Sequence, residues 1–393
     1  LRILQISSAR AFGGGERHLA DLARGLAERG HEVFAALSSS SPLRDKLDPV
    51  QPSNLFTLPL RGPLDLASAA RLARLAREHE AEIIHAHVAR DYTLAALASR
   101  LAPRARLVVT RHVLFPLSRV HRRALANVAR VIAVSEAVAR ALRAQEIFPA
   151  DKIRVVTNAV DLRRFDEARE RRTRFERERR AGRSSTNEQH AGRSSMNEQP
   201  GGPLRVGIVG ELSEVKGQAE FVRAAAEVAA RFGEGVEFVI VGEDASRTGE
   251  NRARVERLVA ELGLERRVSL LGRRDDVADV LASFDLLVSA SRTEAFGMAL
   301  VEAMACGVPV VATATEGARE IVADGATGLI VPIGDACALA ASVVSLLEDT
   351  PRRLTLGARA RESARARFGL ERMIEATERV YAEALGRAGE PRS

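Results

Sequence analysis

The sequence predicts an α/β chain built as two doubly wound parallel sheets facing across a cleft. Three observations carry this. Short apolar runs alternate with helically periodic segments through residues 1–165. The same rhythm restarts at residue 203. Between them, 166–202 is charged, carries a repeat and shows no core-forming pattern. At 393 residues the chain is also long for one core, so two domains are expected.

The elements follow in order. LRILQIS is a strand, and GGGERHLADLARGLAERG is a loop and helix with Leu19, Leu22, Ala23 and Leu26 at helical spacing. HEVFAAL and LFTLPL are strands, LASAARLARLAREHEA a helix, EIIHAHV a strand, and Leu94 to Leu101 a helix. ARLVVTRHV, RVIAVS and IRVVTNAVD complete the first domain, with the helix EAVARALRAQ before the last. The next stretch, RFDEARERRTRFERERRAG, reads as a solvated helix. A direct repeat, AGRSSTNEQH then AGRSSMNEQP, occupies 181–200; it lacks core formers and is expected as a linker disordered in part. The second domain, 203–368, alternates again from PLRVGIVGEL through FDLLVSAS to TGLIVPIGD and two closing helices. Residues 369–393 hold a last amphipathic helix.

Composition excludes several classes. No run reaches the ~18 apolar residues of a membrane helix, and LRILQISSAR lacks a signal peptide's basic start and apolar region. A cytoplasmic location is expected. Cys306 and Cys337 are too few for a disulfide scaffold, lack metal-ligand spacing and are expected in the core. Net charge is +7, with ten Arg and one acid between Arg100 and Arg143. Such a field attracts anionic partners. Interleaved aromatics for base stacking are missing, so no nucleic-acid partner is expected; an anionic membrane or a lipid-phosphate acceptor fits better.

Four motifs sit at predicted strand ends, where open parallel sheets bind ligands. Gly13-Gly14-Gly15-Glu16 opens the first helix after the first strand and lets backbone N–H groups approach a phosphate. His85, His87 and His112 end two strands and suit sugar hydroxyls or acid–base work; HxH alone supplies too few ligands for a metal, and none is expected. Gly210-Glu211-Leu212 with Lys216-Gly217 places a lysine before a helix, as a point charge for a pyrophosphate. In SASRTEAFGMALVEAMACGVPVVAT, Glu294 precedes a glycine loop and Glu302 lies inside the following helix. That helix start offers an anion free N–H groups and a positive dipole end.

EAFGMALVEAMACGVPVVAT with VSASRT resembles the donor-site signature of retaining GT-B glycosyltransferases of family four, the glycosyl transferases group 1. GGGERHLADLARGLAERGHEV, VIAVSEAVARAL, VVTNAVDLRRF, the GEL-SEV-KG stretch and EGAREIVADGATGLIVP extend the likeness over both halves, leaving out 166–202. The resemblance implies two Rossmann-like domains, with the acceptor on the side of the first, a final helix crossing back to it, and closure that excludes water. It implies retaining transfer from a nucleoside diphosphate sugar to a hydroxyl acceptor, lipid-linked or glycan, without metal or cofactor. Lys216 matches the lysine that holds the diphosphate, Glu294 the glutamate that orients the donor sugar, and Glu302 the ribose glutamate. Phe296, Gly297, Met298, Ala299 and Leu300 would present backbone N–H groups to the donor, beside Gly210. Gly14 and Gly15 match the loop that closes on the phosphate, and His112 a histidine beside the reacting sugar. His87 and Asn158 are further candidates, Asn158-Ala159 replacing the usual Asn-Gly. Glu211 stands where the family has an arginine, so either Glu211 turns away, or Arg273, Arg274 or Arg292 supplies the charge, or the donor site is weakened. Asp275-Asp276 lies in a different loop context from a metal-binding DxD. The rival readings are a catalytically weakened or dead sugar-nucleotide-binding protein and an epimerase or hydrolase of the same fold.

Overall fold

The computed structural model describes residues 1–187, 202–244, 246 and 248–387. They divide into two compact units, one of Leu1–Ala159 with the segment from Phe368, the other of Val160–Arg367.

The first unit runs β1 (Arg2–Ser7), α1 (Gly14–Glu28), β2 (Glu32–Ser38), β3 (Leu55–Leu58), α2 (Leu66–Glu78), β4 (Ile83–Ala86), α3 (Tyr92–Leu101), β5 (Arg106–Arg111), α4 (His121–Ala124), β6 (Val128–Ala133), α5 (Glu136–Gln145) and β7 (Ile153–Val155). Its sheet has the order β3-β2-β1-β4-β5-β6-β7 and is parallel throughout. The order of successive strands reverses between β1 and β4, and in such sheets ligands bind at the carboxyl ends beside that point. β1 and β2 are near-continuous apolar runs, buried on both faces after the first residue, as helices on either side require.

The second unit opens with α6 (Leu162–Asn187), then β8 (Leu204–Val209), α7 (Gln218–Phe232), β9 (Val236–Val241), α8 (Glu250–Glu261), β10 (Val268–Gly272), α9 (Val277–Ala282), β11 (Leu286–Ser289), α10 (Met298–Cys306), β12 (Val310–Thr313), α11 (Glu316–Ile321), β13 (Leu329–Val331), α12 (Ala336–Glu348) and α13 (Thr350–Arg367). Its six-stranded parallel sheet, β10-β9-β8-β11-β12-β13, reverses between β8 and β11.

Two expectations need correction. The charged stretch is a helix, as expected, but it belongs to the second unit rather than to a linker between units, and it continues to residue 187. Phe165 and Ala168 are buried. Arg172 donates to the backbone carbonyls of Ala282 and Phe284 and to Asp285, Arg171 pairs with Asp279 at 2.8 Å, and Asp166 takes Arg361 and Arg365. Anchoring by guanidinium groups needs no apolar stripe, so periodicity does not reveal it. The helix takes in 181–187; the remainder of the repeat lies outside the described residues. The other correction concerns cysteine: Cys306 is buried, but Cys337 is exposed, with its thiol beside Glu227.

The last helix, α14 (Leu370–Ala384), packs in the first unit's core through Met373, Ile374, Val380 and Tyr381. Gly25 on α1 permits the approach, since a Cβ there would stand 2.0 Å from Ile374. Arg29 meets Glu371, Glu375 and Glu378 along α14, and Arg130 and Arg154 both meet Glu383.

Among the described residues no helix is long and apolar enough to cross a membrane. The Arg-rich region exposes Val113, Phe115 and Val120 near Arg119, Arg122 and Arg123 in the chain.

Candidate active site

The helix starts differ in their caps. α2, α5, α11 and α12 are capped by Asp65, Ser135, Thr315 and Asp335, whose side chains accept a first-turn N–H. The helices after β8 and β11 start instead at Gly217 and Gly297, both with positive φ and without a side-chain cap. An uncapped start leaves backbone donors and the dipole's positive end for an anion.

The β8 and β11 ends are locked together. A Cβ on Gly217 would lie 2.1 Å from the Ala290 carbonyl oxygen, so only glycine lets the α7 start dock on the β11 end. Arg292 N–H donates to the Val215 carbonyl at 2.7 Å. This brings Lys216 Nζ to Glu294 Oε2 at 2.7 Å, and Ser291 Oγ donates to the same oxygen at 3.3 Å. Both partners are partly buried. An ammonium has three donors; the Glu294 bond uses one. Gly210, at φ 157°, lies under the Lys216 side chain, and its carbonyl occupies the place a Cβ on Gly242 would need.

α10 is apolar almost all round and buried from Leu300 to Cys306. Glu302 lies inside this buried run, and burying a carboxylate is costly unless polar groups meet it. Cys306, on the same helix, has its thiol pKa pushed up to about 12, chiefly by burial and then by Glu302. Phe296 is buried, Met298 and Ala299 half-buried. The Leu300 N–H turns back to the Gly297 carbonyl at 3.1 Å, so it is already engaged, unlike the expected row of donors through Leu300. Sequence reading missed Gly317. Its N–H donates to the Glu294 carbonyl at 3.1 Å, and a Cβ there would strike the Phe296 and Glu294 backbone at 2.5–2.8 Å. This glycine lets α11 brace the donor loop from behind.

Charges expected to offset Glu211 are engaged elsewhere. Arg273 lies 3.7 Å from Glu243, Arg274 forks onto Asp276, and Arg292 pairs with Glu220. Asp276 therefore holds an arginine, and its carboxyl is drawn below the usual range chiefly by that bond. Glu211 is exposed, and its backbone carbonyl accepts from Gln218.

In the first unit the strand-end histidines separate into two kinds. His85 is a core residue: Nδ1 meets the Tyr381 hydroxyl and Nε2 meets Thr110 Oγ1, each at 2.7 Å. This corrects the expectation that it faces a ligand. His87 and His112, from the ends of neighbouring strands β4 and β5, meet His18 of α1, which sequence reading did not single out. Gly15 sits against the His112 ring, 3.5 Å from where its Cβ would be. Gly14 begins α1, and the Gly13 N–H donates to Glu16. Burial lowers the pKa of His18 to about 4 and those of His87 and His112 well below the ordinary value, so the three rings are neutral at pH 7. Asn158 is buried beside His18.

With this geometry in hand, comparisons agree over both units. Residues 12–164 match the family model Glycosyltransferase Family 4, and residues 194–363 match Glycosyl transferases group 1. The chain is 28% identical over 383 residues to the N-acetyl-alpha-D-glucosaminyl L-malate synthase of Bacillus anthracis, spanning 93% of this chain and 92% of that protein. It is 34% identical over 182 residues to a D-inositol 3-phosphate glycosyltransferase of Corynebacterium aurimucosum, spanning 46% of this chain and 43% of that one. The Anabaena protein Alr3699/HepE, solved in complex with UDP and glucose, superposes with a TM-score of 0.77 at 26% identity, covering 97% of this chain and 99% of that one.

Proposed function

Because the chain belongs to the group 1 glycosyl transferases, enzymes with two Rossmann-like domains in the GT-B arrangement, we propose that it transfers a glycosyl group with retention from a nucleoside diphosphate sugar to a hydroxyl acceptor. The donor lies in the second unit and needs no metal there. The acceptor belongs to glycolipid, cell-envelope polysaccharide or related glycan synthesis. The observation that carries this reading is the Lys216–Glu294 pair, held at 2.7 Å beside the uncapped start of α10.

Each group has a distinct job. The Lys216 ammonium and the Met298 and Ala299 N–H groups face the diphosphate, whose charge grows as the sugar leaves. Groups fixed before reaction stabilise that charge without reorganising, usually the largest catalytic contribution. Glu294 is acceptor-only when ionised, so its oxygens suit the hydroxyls of the transferred sugar. Glu302, one turn into α10, accepts the ribose hydroxyls. In the reaction the bond from the anomeric carbon to the diphosphate oxygen breaks and one to the acceptor oxygen forms. The acceptor's proton passes to a phosphate oxygen of the leaving group, and nucleoside diphosphate departs. The similarity to a protein solved with UDP and glucose supports a uridine nucleotide as the first donor class to try.

The stereochemical outcome tests this reading. With a turned-over donor, the proton NMR spectrum of the product is expected to show the donor's anomeric configuration, at a rate unchanged by EDTA. An inverted product, or turnover that stops when divalent ions are chelated and returns with Mg2+, would remove the proposed mechanism.

A further inference from the structure

A continuous chain of buried polar groups runs from α14 to the carboxyl end of β4, outside the donor chemistry. Its members are Thr110, His85, Tyr381, Gln5 and His87. The first four are fully buried, and His87 is 5% exposed. His85 Nε2 lies 2.7 Å from Thr110 Oγ1, and His85 Nδ1 lies 2.7 Å from the Tyr381 hydroxyl. Gln5 Nε2 lies 3.4 Å from that hydroxyl, and Gln5 Oε1 lies 2.7 Å from His87 Nε2. The sheet sets this order. β1 pairs with β4 so that Gln5 stands opposite His85. His87 follows two residues on, and strand periodicity returns it to the same face.

The distances give the chain a direction. At 3.4 Å the Gln5–Tyr381 link is too long for a hydroxyl donor on an oxygen, whose bonds span about 2.5–3.0 Å, and it is nearer the reach of an amide N–H. Gln5 therefore donates to Tyr381, and the Tyr381 proton goes to His85 Nδ1. Burial holds the pKa of His85 well below its ordinary value, so the ring is neutral and its one N–H, on Nε2, donates to Thr110. At the other end the Gln5 carbonyl faces His87 and accepts from Nε2–H. His87 is also neutral, which leaves a lone pair on Nδ1. That atom is buried without a hydrogen-bond partner.

Two rings lie near this lone pair. The His87 centroid is 5.8 Å from that of His18 and 6.0 Å from that of His112. Neutral His18 and His112 each carry one N–H. His18 has Asn158 as a hydrogen-bonding neighbour, whereas both nitrogens of His112 are buried without a partner. A proton on His87 Nδ1 would set N–H against N–H. A proton on Nε2 offers His112 an acceptor.

We propose that Tyr381 and Gln5 are positioning residues for His112. They hold the His87 proton on Nε2, so that Nδ1 accepts the His112 N–H and the other His112 nitrogen keeps its lone pair for a sugar hydroxyl. This rests on the sugar-facing role that the family resemblance implies for His112. A nitrogen of each ring lies within 4.8 Å of one on the other, so a closure of at most roughly 1.8 Å reaches bonding distance. Hydrogen bonds of this kind are often long without substrate and tighten when it binds. The last helix then supports the site as well as filling the core.

The test is long-range proton–nitrogen NMR of the full chain labelled with 15N-histidine, with His87 and His112 assigned by His87→Gln and His112→Gln. In the wild type His87 is expected to carry its proton on Nε2, with Nδ1 bare. Tyr381→Phe removes the group that makes Gln5 donate and frees the amide to turn. His87 should then become a mixture of tautomers, the His112 signals should shift, and kcat should fall about 3–10-fold, the factor of one hydrogen bond, with UDP affinity unchanged. Gln5→Leu should do the same. A wild-type His87 protonated on Nδ1 overturns the proposal. So does a Tyr381→Phe chain whose thermal transition drops while the His87 tautomer, the His112 signals or kcat stay at wild type, since a purely structural role predicts that. If neither variant folds, the wild-type spectrum decides by the position of the His87 proton. The spectra need no substrate, so failure of the glycosyl-transfer reading is seen separately, as absence of turnover with the His87 tautomer as expected.

Discussion

Lys216→Ala is expected to lower kcat by about two to three orders of magnitude while the chain still folds cooperatively. The magnitude is that of removing one fixed donor from a developing charge. Arg273, Arg274 and Arg292 are each paired with an acid and are not expected to substitute for it. Removing the ammonium also takes from Glu294 its 2.7 Å partner, leaving a half-buried carboxylate to repel the diphosphate. Lys216→Arg should recover only part of the loss, because a planar guanidinium replaces a compact charge at a site shaped by Gly210 and Gly217. Steady-state kinetics with a turned-over donor, read beside the thermal transition, checks this. Wild-type kcat in Lys216→Ala would remove the lysine from the mechanism.

The second large effect concerns the last helix of the first unit. Ending the chain at Arg367 is expected to unfold the first unit and leave the second folded. The truncation strips Met373, Ile374, Val380 and Tyr381 from the first unit's core. At about 1.5–3 kcal/mol for each buried side chain, the loss is on the order of 6–12 kcal/mol, comparable to the net stability of a whole domain. It also takes the Tyr381 hydroxyl from His85 and Gln5, leaving buried polar atoms unpaired. Hydrogen exchange resolves the two units: amides of β1, β2, β4 and β5 should lose protection while those of β8, β9, β11 and β12 keep it. Protected first-unit strands in the truncated chain would show that α14 is dispensable.

The strands and most helices were legible because apolar runs and 3.6-residue periodicity survive in the sequence. The turns that carry Lys216 and Glu294 and the short helix that carries Glu302 were legible because glycines punctuate them. The rest depended on contacts that spacing cannot encode. α6 read as a solvated helix outside both cores because, among its described residues, Phe165 and Ala168 in the first turns are the buried apolar anchors and the later hold is guanidinium to carbonyl. Gly317 reads as one residue of an ordinary helix start, and its role appears only when the Glu294–Phe296 backbone lies against it. Arg292 read as a spare charge because its partner, Glu220, is 72 residues away. His18 sits in a charged stretch of α1, and nothing in the local pattern says that β4 and β5 bring two more histidines to it.

The proposed function requires a nucleoside diphosphate held mainly by the second unit. Calorimetric titration of UDP into the wild-type chain in EDTA, repeated with Glu302→Ala, tests it most directly. One site per chain in the wild type, weakened at least about tenfold in the variant, is the predicted result. Affinity unchanged in Glu302→Ala, or no binding of UDP, ADP or GDP by the folded wild type, would contradict it.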